Sequence, residues 1–144
     1  LRHFGIKRVM LISMFAWVFR FGLFGLGDPG SGLWMLILSM IVYGMAFDFF
    51  NISGSLFVEL EAKPEIRASA QGLFFMMTNG LGAIIGGYAS GAVVDAFSVY
   101  SDGMLISREW PDIWFIFAGY ALVIGILFAL VFRYKHQPEE LSKK

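Results

Sequence analysis

An all-α membrane protein with four transmembrane helices is the fold class this sequence predicts, and three observations carry the prediction. Of the 144 residues, 58% are hydrophobic and only 15% charged, whereas soluble domains carry about 25% charged residues. Four apolar stretches are each long enough to cross a hydrocarbon core of about 30 Å, a distance that takes about 20 helical residues. The basic residues collect on one side of the hairpins these stretches would form. A mean hydropathy of +0.70 agrees with a chain whose solvent is lipid.

The first span is expected at 9–26. It ends at Gly27-Asp28-Pro29-Gly30-Ser31-Gly32, a run of helix-breaking, turn-forming residues that folds the chain back. The second span is expected at 33–58, followed by the polar segment Glu59-Leu60-Glu61-Ala62-Lys63-Pro64-Glu65-Ile66-Arg67. The third is expected at 68–97. It carries Gly72, Gly80, Gly82, Gly86, Gly87 and Gly91, and the pairs Gly82/Gly86 and Gly87/Gly91 have the four-residue spacing of a close-packing face. Such a face serves packing, or a sliding or bending surface, and the two uses are compatible. A longer polar stretch from Ser98 to Asp112 is expected as an aqueous loop before the fourth span at 113–132.

Orientation follows from the basic residues. Arg2, Lys7 and Arg8 precede the first span, Lys63 and Arg67 lie in the second loop, and Arg133, Lys135, Lys143 and Lys144 follow the fourth. The opposite side has Arg108, and Arg20 lies within a span. Since cytoplasmic loops are enriched in Lys and Arg, both ends of the chain are placed in the cytoplasm. The chain opens Leu-Arg-His-Phe, without the features of a signal peptide, and reads as a segment of something longer.

Several function classes drop out. The formal net charge is zero, which gives no basic field for nucleic acid. There is no cysteine, and His3 and His136 sit singly near the two ends, so no disulfide or metal site is expected and no cofactor is implied. No nucleophile-elbow pattern or phosphate loop occurs, which argues against an enzyme.

The second span contains the one acidic residue deep in the membrane, within Tyr43-Gly44-Met45-Ala46-Phe47-Asp48-Phe49-Phe50-Asn51-Ile52-Ser53-Gly54-Ser55. At about 100° per residue, Tyr43, Phe47, Phe50 and Gly54 lie within about 60° of one another, and Asp48, Asn51 and Ser55 form an adjoining polar stripe. Rings stack on an aromatic strip and hydroxyls need hydrogen-bond partners, so the pair of strips suits an amphipathic solute with a flat ring and several hydroxyls. The aromatics alone could equally pack against neighbouring helices.

An ionised carboxylate near the midplane costs several kcal/mol, and such residues face a bundle interior or a watery cavity. Asp48 is therefore the leading candidate, since proton-coupled transport needs a group that takes up and releases a proton. A permanent ion pair is the competing role. Arg20 is the obvious partner, but it lies about 10 Å below the far end of its span and Asp48 about 22 Å below the same side. Arg20 is thus expected to snorkel or to pair outside this chain. Asn79 and Gln71 are further polar candidates, expected to bond between helices.

The same stretch, with Ile66-Arg67-Ala68-Ser69-Ala70-Gln71-Gly72, Met76-Met77-Thr78-Asn79-Gly80, Trp114-Phe115-Ile116-Phe117-Ala118-Gly119-Tyr120 and Tyr134-Lys135-His136, resembles the nucleoside permeases of the major facilitator superfamily. Nearly the whole chain takes part except the segment from Ser98 to Pro111. The resemblance implies that residues 1–144 belong to a transporter's C-terminal six-helix half, as helices nine to twelve of twelve, with Gly5-Ile6-Lys7-Arg8 ending the basic loop before them. It implies a proton symporter for nucleosides, monomeric in the full-length chain, working by alternating access in a bacterial cytoplasmic membrane. It implies that Tyr43 and Phe47 contact the nucleoside and that Asp48 is an essential acidic residue beside them. A relative handling sugars or other small solutes, and a structural membrane module with no substrate, are the alternatives.

Overall fold

A computed structural model of the chain describes residues 5–133. The expectations placed on Arg2, His3, Lys135, His136, Lys143 and Lys144, and the Tyr134-Lys135-His136 part of the resemblance, lie outside the described residues.

The first span is α1, Ile6–Leu26, and the second is α2, Leu33–Glu61. Their 21 and 29 residues give lengths of about 32 and 44 Å, enough to cross a bilayer core. Both helices outrun the expected spans because hydropathy registers the lipid-embedded part, while Lys7, Arg8 and Glu59 continue the helix into the polar zone. Between them Asp28 organises the turn, its carboxylate accepting from the Gly30 N–H at 2.6 Å and the Gly32 N–H at 3.2 Å. A Cβ at Gly32 would stand 2.6 Å from the Asp28 backbone nitrogen, so only glycine fits there.

The last span is α5, Trp110–Val131, with Pro111 in its first turn where the missing N–H costs nothing. α1 is the central helix, packing along α2 on one side and α5 on the other. Small residues seven apart, Ser39, Ala46 and Ser53, share the buried face of α2. Ser39 Oγ donates to the Arg20 carbonyl at 3.2 Å, which fastens that face to α1. Ile6, Met10 and Ser13 are buried on α1, and Gly25 lets the Phe115 ring approach to 3.1 Å of where a Cβ would stand.

The two ends of the described chain lie on one side of the bundle. Lys7 Nζ donates to the Ala129 carbonyl at 2.9 Å, satisfying one of the C-terminal carbonyls that a helix leaves unpaired. Phe57 near the end of α2 meets Phe132 edge-on at 5.2 Å. At the opposite side Phe24 stacks on Trp114 at 4.7 Å.

The third span is composite. A 3-10 turn, Pro64–Ile66, leads into α3, Arg67–Phe75; a π turn, Met76–Leu81, follows and continues as α4, Gly82–Ala96. The Gly82 N–H bonds to the Met77 carbonyl five residues back, and Thr78 Oγ1 donates to the Phe74 carbonyl at 2.8 Å. α3 packs on α2, whereas α4 has no comparable neighbour among the described helices. Cβ atoms at Gly72, Gly86, Gly87 and Gly91 would meet nothing within 4 Å. The glycine face read as a packing surface is thus uncovered by the described residues.

The expected aqueous loop from Ser98 to Asp112 needs correcting. It forms an antiparallel hairpin of β1, Ser98–Ser101, and β2, Met104–Arg108, and its last residues already belong to α5. Asp102 at φ 50 and Gly103 at φ 77 make the turn, the Asp-Gly pair being among the residues that accept two successive positive φ values. Arg108 Nε donates to Ser98 Oγ at 3.0 Å, and that hydroxyl donates to the Val94 carbonyl at 2.7 Å, tying the hairpin to α4.

Candidate functional site

The polar and aromatic strips of α2 divide between different neighbours. Gly54 is buried, and a Cβ added there would run into the Phe74 ring of α3. Next to it, Ser55 Oγ donates to Gln71 Oε1 at 2.9 Å and Gln71 Nε2 donates to the Ser55 carbonyl at 2.7 Å. This two-way bond is the interhelix role expected of Gln71. Replacing Gln71 with Leu should lower stability by about 1 kcal/mol, within the range for single interhelix bonds in lipid. Denaturation of the detergent-solubilised full-length protein measures it, and an unshifted transition would show the bond to be energetically idle.

Tyr43, at the other end of the aromatic strip, is half-buried against α1. Its ring meets Trp17 edge-on at 5.3 Å and lies 5.9 Å from Phe47. Phe47 keeps 39% of its surface exposed. Asp48 is exposed as well, and Asn51 half-exposed. Asp48 lies two residues past Ala46 and nine past Ser39, angles of about 200° and 180° from those members of the buried seam. It therefore stands on the face of α2 turned away from α1. Below it, Asn51, Ile52, Ser55, Leu56, Glu59 and Phe75 line an open groove of about 360 Å³ between α2 and α3. The polar stripe thus continues from Asp48 toward the end of the bundle where α1 begins.

Arg20 and Asp48 do not pair, as their separate depths along the bundle led one to expect. The guanidinium does not snorkel out: it stays at the level of its own turn, 4.3 Å from the Tyr43 ring and 4.9 Å from Trp17, with Phe21 and Phe24 each at 5.4 Å. Its Nε is buried without a hydrogen-bond partner among the described residues. Two other polar candidates bond locally, Asn51 Nδ2 to the Phe47 carbonyl at 2.8 Å and Asn79 Nδ2 to Thr78 Oγ1 at 3.2 Å. For Asn79 the expected bond to another helix is not made within the described residues.

The structure therefore brings Tyr43, Phe47, Asp48 and Asn51 together on α2, with Arg20 behind Tyr43, and leaves Asn79 apart on the π turn. Sequence reasoning missed Trp17. Its only signal was the spacing of Trp17, Arg20, Phe21 and Phe24, which puts three rings within a turn of a cation that has no acidic neighbour on its own helix.

A family model described as nucleoside H+ symporter matches residues 1–137. The xanthosine permease of Escherichia coli is 56% identical over 145 residues, covering 100% of this chain and 34% of the permease. Nucleoside permease NupG of the same organism is 56% identical over 137 residues, covering 94% of this chain and 32% of its own length. Among solved structures, a crystal structure of nucleoside transporter NupG matches with a TM-score of 0.81 at 55% identity, over 92% of this chain and 32% of that one. A structure of a NupG point mutant matches with a TM-score of 0.82. The chain spans about a third of the length of these relatives. With a family model covering nearly all of it, a multi-pass helical architecture and this likeness in three dimensions, the chain belongs to the nucleoside H+ symporter family.

Proposed function

We propose that these four spans are the last four helices of a twelve-helix major facilitator transporter that carries nucleosides inward with protons, and that the open face of α2 is part of its central cavity wall. The observation that carries the reading is Asp48: a carboxylate beside Phe47 and Asn51, on the side of α2 opposite the seam packed on α1. Lipid against that face would strand a charge in hydrocarbon, so the face belongs to a watery cavity closed by the other helices. Nucleosides fit the lining, with Tyr43 and Phe47 offering ring faces to a base and Asp48 and Asn51 offering polar partners to ribose hydroxyls. In this reading Asp48 either carries the coupled proton or sets the cavity's electrostatics.

The basic side, with Lys7, Arg8, Lys63, Arg67 and Arg133, faces the cytoplasm of a bacterium, and the hairpin side with Arg108 faces outward. The full-length chain acts as a monomer and needs no covalent chemistry, because translocation proceeds by rocking of two halves around a fixed site. The test is uridine uptake into proteoliposomes carrying the full-length transporter. An inward-directed proton gradient should drive accumulation, and a protonophore should abolish it. Accumulation indifferent to the protonophore would remove the coupling, and uptake of a disaccharide in preference to uridine would remove the substrate class.

A further inference from the structure

Arg20 places a cation within a membrane span, and among the described residues no carboxylate meets it. A charge at such depth costs several kcal/mol, and a Leu would fill the same space without that cost. What the guanidinium touches is aromatic: Tyr43 at 4.3 Å, Trp17 at 4.9 Å, and Phe21 and Phe24 at 5.4 Å each. A planar cation is drawn to ring faces, most strongly where water is scarce.

The contact with Tyr43 differs from the other three. Trp17, Phe21 and Phe24 belong to Arg20's own helix, so Tyr43 is the ring through which the cation reaches α2. One turn earlier on α2, Ser39 Oγ donates to the Arg20 carbonyl, so the same residue grips α2 through both its backbone and its side chain. Trp17 braces the Tyr43 ring edge-on at 5.3 Å and 80°, and Tyr43 in turn lies against Phe47. The ring is thus confined by a cation, an indole and a second phenyl ring, while its helix is held at the adjacent turn.

We infer that Arg20, assisted by Trp17, is a positioning residue that fixes the Tyr43 ring as a preformed part of the nucleoside-binding wall. The inference rests on the reading of Tyr43 and Phe47 as that wall. It deepens the reading by giving substrate affinity a determinant on α1 that need not touch the substrate. A ring already immobilised costs less order on binding, so loosening it weakens affinity without removing a contact.

The test is a double-mutant cycle on the purified full-length transporter, with uridine binding measured by calorimetry for the natural protein, Arg20→Leu, Tyr43→Leu and the double variant. Expected is a loss of about tenfold for each single variant, the scale of a desolvated cation–π contact, with the double variant no weaker than Tyr43→Leu alone. Unchanged affinity in Arg20→Leu, or losses that multiply in the double variant, overturns the inference. Multiplied losses are what an Arg20 paired with a helix outside this chain would give. Normal binding by Tyr43→Leu overturns the cavity-wall reading and the inference with it, so the two failures are told apart. Should Arg20→Leu fail to fold, Arg20→Lys carries the test, because it keeps the charge and loses the flat guanidinium. Its affinity should fall about threefold, with no further loss on a Tyr43→Leu background, and unchanged affinity overturns the inference.

Discussion

Substituting Asn for Asp48 should reduce proton-driven uridine accumulation by the full-length transporter by one to two orders of magnitude while leaving the protein folded. The substitution keeps the size of the side chain and removes its charge and its ability to cycle a proton. Asp48 is exposed on the face of α2 turned away from α1, so its loss disturbs little packing among the described residues. The expected scale is that of charge-assisted hydrogen bonds, about 1.5–3 kcal/mol, which corresponds to roughly 10- to 150-fold. Two assays on the same proteoliposomes divide the possible roles. Accumulation against a gradient requires coupling, whereas exchange of internal for external uridine requires only a working cavity. Loss of accumulation with exchange retained would mark Asp48 as the coupling group, and loss of both would mark it as a substrate contact. Full accumulation by Asp48→Asn would eliminate both roles and revive a structural module.

What the sequence made legible is what hydropathy and helical phase encode. The four expected spans correspond to four long apolar helical stretches, because an apolar run of about 20 residues has one inexpensive conformation in lipid. The Gly27 to Gly32 turn was readable from turn chemistry, and the stripe of Asp48, Asn51 and Ser55 from angle counting, whereas the side of α2 that Asp48 takes relative to α1 follows only from the buried seam of Ser39, Ala46 and Ser53. Gln71 was read as an interhelix group, although its partner Ser55 had been assigned only to the polar stripe. Three features were hidden. The hairpin depends on Asp102-Gly103 between short, partly apolar flanks, a signal that a search for 20-residue runs passes over. The π turn at Met76–Leu81 comes from one extra residue in a helix, which leaves composition unchanged. The ring cage around Arg20 closes only when α2 supplies Tyr43, and nothing in either helix alone names that neighbour.

The site on α2 also depends on how the third span is held, which makes Gly54 the position of the second large effect. Gly54→Leu should prevent the third span from docking and sharply reduce the yield of folded full-length transporter. A Cβ at this position already collides with the Phe74 ring. Phe74 is braced edge-on by Phe75 at 5.4 Å, so the ring has limited freedom to turn aside. A four-carbon side chain would wedge α2 and α3 apart where the Ser55–Gln71 bonds join them. Overpacking costs about 1–3 kcal/mol, and breaking those bonds adds about 1 kcal/mol more. Both losses fall on one contact, because α3 is the part of the third span that packs on the other described helices. Gly54→Ala, with a single methyl, should fold at reduced stability. Pairing Gly54→Leu with Phe74→Ala should restore folding, since the ring removed makes room for the side chain added. Yield and monodispersity in size-exclusion chromatography measure all three. If Gly54→Leu alone matched the natural protein, α3 would be held by helices outside this chain, and the groove below Asp48 would owe its shape to them instead.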